Sequence, residues 1–315
     1  MAIAIVVHGG AGLIPPERYA AAREGCREAA MLGWQVLLDG GSALDAVQRA
    51  IMALEDNPGF NAGTGAVLTA DGRAELDAGL MDGATLDVGA VASVSHIKNP
   101  IALARHTLTS PHVLLAGAGA EQFAQEHGMA LVDPDVLVTA AQRARWRRGY
   151  RDGDDVNVEP DHSDLTPSAL NEAAIHADDT KHGTVGAVAV DARGNVAAGA
   201  STGGIGAKHP GRVGDTPLVG AGFYAENGLG GVSSTGHGED FIRLLLARRT
   251  LDYIERGYSA QAAANTAIRL LGKRVHGSGG LIVLDGAGRV GYARNTPTMA
   301  HAYIVEGMEQ PFAGV

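Results

Sequence analysis

Two threonines, Thr184 and Thr202, stand at equal distances from one short turn, a spacing that could support nucleophilic chemistry. The apolar runs Thr184–Val190 and Val196–Ser201 flank Asp191-Ala-Arg-Gly-Asn195, whose Asp, Gly and Asn favour a hairpin turn. If Val190 pairs with Val196, the register carries Thr184 opposite Thr202. Opposed residues on one face approach to about 5 Å at Cβ, so the two hydroxyls would meet at an open sheet end. A one-residue slip would separate them.

A threonine hydroxyl is a poor nucleophile unless a base takes its proton. One solution makes Thr the first residue of a chain, so that its own α-amine is that base. Thr184 gains such an amine only if the Gly183–Thr184 bond is cut, and Gly183, lacking Cβ, tolerates the geometry that attack on its carbonyl demands. The plainer alternative is that Thr184 simply opens a strand, where β-branched residues are common.

The surrounding pattern gives the elements that must position this pair. Ala2–His8 reads as a buried strand and Glu17–Leu38 as a helix closed by Gly40-Gly41. Ser42-Ala-Leu-Asp45 resembles a capping box for a second helix to about Asp56. From Thr64 to His96 short strands alternate with the turns Asp71-Gly72 and Asp82-Gly83, and Val113–Ala116 adds another strand. Helical patterns follow around Glu121 and over Asp135–Tyr150. Residues 152–182 are acidic, carry Pro160 and Pro167 and show no period, which reads as a flexible strap ending at the candidate cleavage point. Beyond the hairpin come strands at Leu218–Tyr224 and Gly231–Thr235, two helices between Glu239 and Val275, and a hairpin of Gly280–Leu284 with Arg289–Ala293.

Composition narrows the functional classes. Of 315 residues, 45% are hydrophobic but only 4% aromatic, so the core is built from Ala, Val, Leu and Ile. A net charge of −10 argues against nucleic-acid or anionic-membrane partners; the basic stretch Arg143–Arg151 reads as a solvated helix end. The single cysteine, Cys26, excludes an internal disulfide framework and a Cys-rich zinc site. No apolar stretch has bilayer length, and MAIAIVVHGG lacks the positive region of a usual signal peptide, so the cytoplasm is expected.

The segment His182-Gly-Thr-Val-Gly-Ala-Val resembles the cleavage site of the plant-type asparaginase/isoaspartyl aminopeptidase family. Further matches follow in family order: His8-Gly-Gly-Ala-Gly12, Phe60-Asn-Ala-Gly63, Ser201-Thr-Gly-Gly204, Gly211-Arg-Val-Gly-Asp215 and Ser234-Thr-Gly-His-Gly238. Met81-Asp-Gly83 and Gly277-Ser-Gly-Gly280 fill gaps, while residues 152–182 match only as a variable linker and the end past Met299 matches weakly. One such motif is weak evidence; several in register are strong.

The resemblance implies one α+β N-terminal-nucleophile hydrolase domain over residues 1–315, a four-layer αββα sandwich. It would be cut into residues 1–183, with the linker at 152–182, and residues 184–315. It implies Thr184 as nucleophile, Thr202 as its hydrogen-bond partner, Thr235 with the Gly236 backbone as the oxyanion hole, and Asn61 near the nucleophile. Arg212 would grip the substrate α-carboxylate, and Asp215 with the Gly238 carbonyl the α-ammonium. The loop Leu54–Thr64 would hold sodium through the carbonyls of Leu54, Glu55, Asn57, Phe60, Ala62 and Thr64, and no organic cofactor is needed.

Each motif has a plainer alternative. Arg212 and Asp215 could form a surface ion pair, Asn61 could serve a turn, and His8-Gly-Gly-Ala-Gly12 could be a phosphate-binding turn, though without G-x-G-x-x-G spacing. His8 and His237 invite a metal reading that no second ligand cluster supports. The implied activity is autocatalytic cleavage followed by hydrolysis of isoaspartyl peptides and L-asparagine, in a dimer of cleaved heterodimers. The alternative within the superfamily is a glycosylasparaginase, whose members usually carry Asp where Gly183 stands. A taspase-like endopeptidase lacks support in any added recognition segment, and a non-catalytic small-molecule binder leaves the three threonines unexplained.

Overall fold

The first apolar run forms strand β1 (Ala4–Gly12) in the computed structural model, which describes residues 3–149 and 183–315. Alternate side chains of a strand point to opposite faces. Ile5 and Val7 accordingly enter one core cluster and Ala4 and Val6 another, all four fully buried. The same division repeats in β5 (Val185–Val190), where Val185, Ala187 and Ala189 face one cluster and Val188 and Val190 the other. The strand is therefore covered on both sides, as its doubly apolar sequence predicts.

The remaining elements of the first segment are α1 (Tyr19–Leu38), α2 (Ala43–Asp56), β2 (Leu76–Asp82), β3 (Val88–Val94), α3 (Pro100–Leu108), β4 (Leu114–Ala116), α4 (Gly117–Glu126) and α5 (Ala140–Arg147). After β5 come β6 (Val196–Thr202), β7 (Phe223–Glu226), β8 (Gly230–Gly236), α6 (Gly238–Leu244), α7 (Leu246–Glu255), α8 (Ala260–Val275), β9 (Gly279–Asp285), β10 (Val290–Arg294), β11 (Thr298–Val305) and β12 (Phe312–Gly314).

The strands form an eight-stranded sheet in the order β12-β11-β1-β5-β6-β2-β3-β4 and a four-stranded sheet β10-β9-β8-β7. Neighbours run antiparallel except β3 and β4, making a mixed α+β structure. One cluster joins α1, α2 and α3 to the large sheet through Ala30, Ile51, Leu54, Leu80, Ile101 and Val185. A second, with Val6, Val188, Ala198, Phe223, Ile282 and Leu284, fills the space between the sheets. A third, with Val232, Leu251, Ala264, Leu271, Leu281 and Val283, seats α7 and α8 on the small sheet. Alanine and valine dominate where elements meet, which accounts for the scarcity of aromatics.

The α2 cap forms as predicted: the Ser42 hydroxyl oxygen accepts from Asp45 N at 3.1 Å and the hydroxyl donates to Asp45 Oδ2 at 2.6 Å. The expected strand at Leu218–Tyr224 is corrected. Residues 215–222 turn, with Leu218 N donating to Asp215 O and Gly222 N to Leu218 O and a single bridge from Val219 to Phe223, and the ladder with β8 begins at Phe223. The expected two helices after Glu239 are three, because Leu245 takes φ 50 and breaks α6 from α7. The helix expected over Asp135–Tyr150 is shorter, since Pro134–Leu137 form a 3-10 turn and Thr139 caps α5 through Gln142 N at 3.1 Å. The strap at 152–182 lies outside the described residues. Among the described residues no helix is long and apolar enough to cross a membrane.

Candidate active site

The β5–β6 hairpin has the predicted register, Val190↔Val196 through Val185↔Ser201. One step further, the Thr184 hydroxyl donates to Thr202 Oγ1 at 3.0 Å. Both residues are buried, at 7% and 2% exposure, so water competes little for either hydroxyl. Thr202 Oγ1 also accepts from Gly204 N at 3.0 Å, which ties Thr202 to the turn that follows β6.

Asn61 closes this end of the sheet. Its side chain donates to Gly204 O at 2.7 Å and accepts from Val67 N at 2.9 Å, while its carbonyl accepts from Gly203 N at 3.0 Å. Its backbone N–H donates to the Gly183 carbonyl at 3.3 Å, the carbonyl of the bond expected to be cut. The turn role and the proximity to Thr184 are thus served by one residue.

Thr235 comes to the same end from the other sheet. β1 pairs antiparallel with β5 through His8↔Gly186, so the path along β1 from His8 to Ala11 runs toward Thr184. Ala11 N donates to Thr235 Oγ1 at 3.2 Å, and Thr235 is fully buried at the end of β8, followed by Gly236.

Arg212, Asp215 and Gly238 also converge. A Cβ built on Gly238 would lie 2.8 Å from both Asp215 N and Asp215 Oδ1, so these residues are in contact. Asp215 Oδ2 is buried without a hydrogen-bond partner, and burial pushes the carboxyl up to about 7 against the pull of Arg212. The surface pairing of Arg212 with Asp215 is corrected: Arg212 is largely buried and donates from Nε and Nη2 to the two carboxylate oxygens of Glu239, at 2.9 and 2.6 Å. Asp77, opposite Thr202 on β2, is buried and lies within the electrostatic reach of Lys208 and Arg212, linking the threonine pair to the charged loop.

Sequence reasoning missed several of these partners. Lys208 is 3% exposed and donates from Nζ to Glu75 O at 2.9 Å, with its stem against Gly204. His8, legible in the sequence only within its Gly-rich motif, takes an interior role that neither the metal nor the phosphate-turn alternative anticipates. Its Nε2 lies 3.0 Å from Ser233 Oγ between the sheets, and burial drives its pKa down to about 3, leaving the ring neutral at physiological pH. His237 pairs with Asp240 and Glu239, and among the described residues no group of three His, Cys, Asp or Glu could hold a metal. Glu55, in the proposed cation loop, uses its fully buried carboxyl to accept from Ser201 Oγ, Ile101 N and Asn99 Nδ2 at 2.7, 3.0 and 3.1 Å. For His8 and Glu55 the sequence signal is a polar side chain within an apolar strand or helix, and their partners Ser233, Ser201, Asn99 and Ile101 are too far along the chain to be matched by spacing; Lys208 and His237 lie in loops without such a signal.

An asparaginase family model (Asparaginase_2) matches residues 1–312. The plant-type L-asparaginase of Pyrococcus horikoshii is 45% identical over 317 residues, covering 99% of this chain and 100% of that protein. The plant-type L-asparaginase of Pyrococcus furiosus is 46% identical over 319 residues with the same coverage. The isoaspartyl peptidase/L-asparaginase of Danio rerio is 44% identical over 282 residues, covering 89% of this chain and 85% of that protein. With nearly its whole length matched by the family model and by relatives well above the identity at which homology is secure, the chain belongs to the asparaginase family.

Proposed function

We propose that the protein is an isoaspartyl peptidase/L-asparaginase that matures by cutting itself before Thr184. The observation that carries this is the buried 3.0 Å hydrogen bond between Thr184 and Thr202, at an end of the sheets where Thr235, Asn61 and the Arg212–Asp215 loop also gather. The packing order of helices, large sheet, small sheet and helices supports the four-layer αββα sandwich of N-terminal-nucleophile hydrolases, with residues 1–183 and 184–315 as the two products.

In maturation, Thr184 Oγ attacks the Gly183 carbonyl carbon and its proton passes to the departing nitrogen, so the peptide becomes an ester. The Asn61 N–H, already on the Gly183 oxygen, stabilises the charge that gathers there. Water then cleaves the ester, freeing the Gly183 carboxylate and the Thr184 amine. An α-amine of pKa about 7.7–8.0 is well placed to act as general base near neutral pH.

In turnover, that amine takes the hydroxyl proton as Thr184 Oγ attacks the side-chain carbonyl of asparagine or of a β-aspartyl peptide. Thr235 and the Gly236 N–H hold the oxyanion, the protonated amine gives its proton to the leaving nitrogen, and water releases aspartate from the threonyl ester. Arg212 holds the free α-carboxylate; the unpartnered Asp215 Oδ2 and the Gly238 carbonyl hold the α-ammonium.

We infer further that the Leu54–Thr64 loop holds a sodium ion on main-chain carbonyls. The carbonyls of Leu54, Glu55 and Asn57 each accept one backbone N–H, from Asn57, Thr64 and Phe60 respectively, which leaves each a second lone pair. The Glu55 carboxyl is committed to Ser201, Ile101 and Asn99, so the donors offered are neutral oxygens, suited to a hard monovalent cation. A bound ion would stiffen the loop that carries Asn61. Closed two-fold assembly of the cleaved heterodimers, the commonest soluble arrangement, is the expected oligomer.

A substrate panel tests the activity. β-Aspartyl dipeptides and asparagine should be hydrolysed, glutamine weakly because its extra methylene moves the amide from Thr184, and α-aspartyl dipeptides essentially not at all. Arg212→Ala should cripple every turnover. Equal rates on α- and β-aspartyl dipeptides would refute the assignment.

A further inference from the structure

We propose that Glu239 is a positioning and specificity-determining residue, which fixes the edge of Arg212 offered to substrate and biases the site toward ligands that carry an α-ammonium. This deepens the reading of Arg212 and Asp215 as the two substrate grips and rests on it. A guanidinium has a side-on fork, Nε with Nη2, and an end-on fork, Nη1 with Nη2. Glu239 fills the side-on fork with bonds of 2.9 and 2.6 Å. An incoming carboxylate is left with the end-on fork alone. Gly214 lies beside the guanidinium: a Cβ there would stand 3.0 Å from Nη1 and 3.3 Å from Cζ and Nη2, so glycine leaves this side of Arg212 uncrowded.

Charge supplies the second half of the argument. Arg212, Asp215 and Glu239 together carry one net negative charge when both carboxyls are ionised. A ligand with a carboxylate but no ammonium would meet an acidic pocket, whereas a zwitterionic amino acid brings a cation for Asp215. The charged groups that act on Asp215 are Arg212 and His237, which favour its ionised form, and Glu239, which opposes it. His237 Nε2 in turn sits 3.3 Å from Glu239 Oε2 and its Nδ1 3.0 Å from Asp240 Oδ2. Glu239 is anchored at the first turn of α6 and is half exposed, so its replacement leaves the core untouched.

Glu239→Gln in the cleaved enzyme is the test, with asparagine and its desamino analogue, succinamic acid, as substrates. KM for asparagine should rise roughly tenfold, the effect of one lost charge-assisted hydrogen bond, while kcat changes little. The preference for asparagine over succinamic acid should narrow, and the acid limb of kcat/KM should move to lower pH because Asp215 ionises more easily. A KM within twofold of the parent overturns the proposal, and so does a raised KM with the acid limb and the preference unmoved, the mark of a structural contact only. Arg212→Lys separates the two layers. If it also leaves KM unchanged, the grip reading itself fails; if it raises KM where Glu239→Gln does not, only the role of Glu239 is lost.

Discussion

Replacing Thr202 by valine keeps the side-chain volume and exchanges one hydroxyl for a methyl. Two hydrogen bonds depend on that oxygen: the Thr184 hydroxyl donates to it at 3.0 Å and Gly204 N at 3.0 Å, in a site where Thr202 is 2% exposed. The Gly204 N–H would be left buried without an acceptor, at a cost of about 1–3 kcal/mol in stability. The Thr184 hydroxyl would lose the group that holds its rotamer, and a displacement of about 1 Å at a reacting atom lowers rates roughly 100-fold. The Thr202 hydroxyl bonds Thr184 and Gly204 and not the proposed grips Arg212 and Asp215, so the loss should fall on kcat and leave KM nearly unchanged. Ammonia release from saturating asparagine, normalised to cleaved chains, reads this directly, and Thr202→Ser should restore most of the rate. A Thr202→Val enzyme that keeps the parent kcat would refute the assigned role of the pair.

Other substitutions probe the same end of the molecule. A Cβ at Gly186 would stand 2.0 Å from Ser233 Oγ and 2.5 Å from His8 Nε2, so Gly186→Ala should destabilise the fold by about 1–3 kcal/mol, read as a lowered unfolding midpoint. An unchanged midpoint would contradict the close packing of the sheets there. A Cβ at Gly183 would lie 2.8 Å from Asn61 Cβ, so Gly183→Ala should push Asn61 away and slow self-cleavage roughly 10–100-fold, part of the effect of losing an oxyanion donor. A time course on denaturing gels measures it, and parent-rate cleavage would remove Asn61 from the mechanism. The rate of asparagine turnover per free protein should fall as pH drops below about 7. There Asp215 takes up the proton that disables its hold on the ammonium, and the Thr184 amine, with pKa about 7.7–8.0, is already protonated. A kcat/KM profile flat from pH 8 to 5 would contradict both roles.

Local chemistry made part of this fold legible. The Asp191–Asn195 turn set the β5–β6 register, and with it the meeting of Thr184 and Thr202, because a hairpin leaves little choice once its loop is known. Ser42 marked the start of α2 for the same kind of reason. Where tertiary packing overrides local signals, the sequence misleads. Nothing in Leu244-Leu245-Leu246 announces the break between α6 and α7, which buried Leu244 and Leu246 impose on either side of a Leu245 that is 55% exposed. α3 is short, and β11 is buried on both faces over most of its length and shows no clean alternation, so neither stood out. The proposed nucleophile and its partner were legible in the hairpin spacing and in motifs, and the proposed substrate grips in motifs; the groups packed around them were not. Glu239, Lys208, Asp77 and Ser233 act across strands and loops far apart in the chain, and only folding brings them to Arg212, Glu75 O, Thr202 and His8.

The central claim is that Thr184 becomes a chain terminus by its own chemistry, and intact-mass spectrometry of the purified protein tests it most directly. The parent should resolve into two chains, one ending at Gly183 and one beginning at Thr184, whose masses sum to the precursor plus one water. Thr184→Ala, prepared identically, should remain a single full-length species, because no hydroxyl is left to attack the Gly183 carbonyl. A parent that hydrolyses asparagine while remaining wholly uncut, or a Thr184→Ala chain that still splits at that bond, would contradict the account.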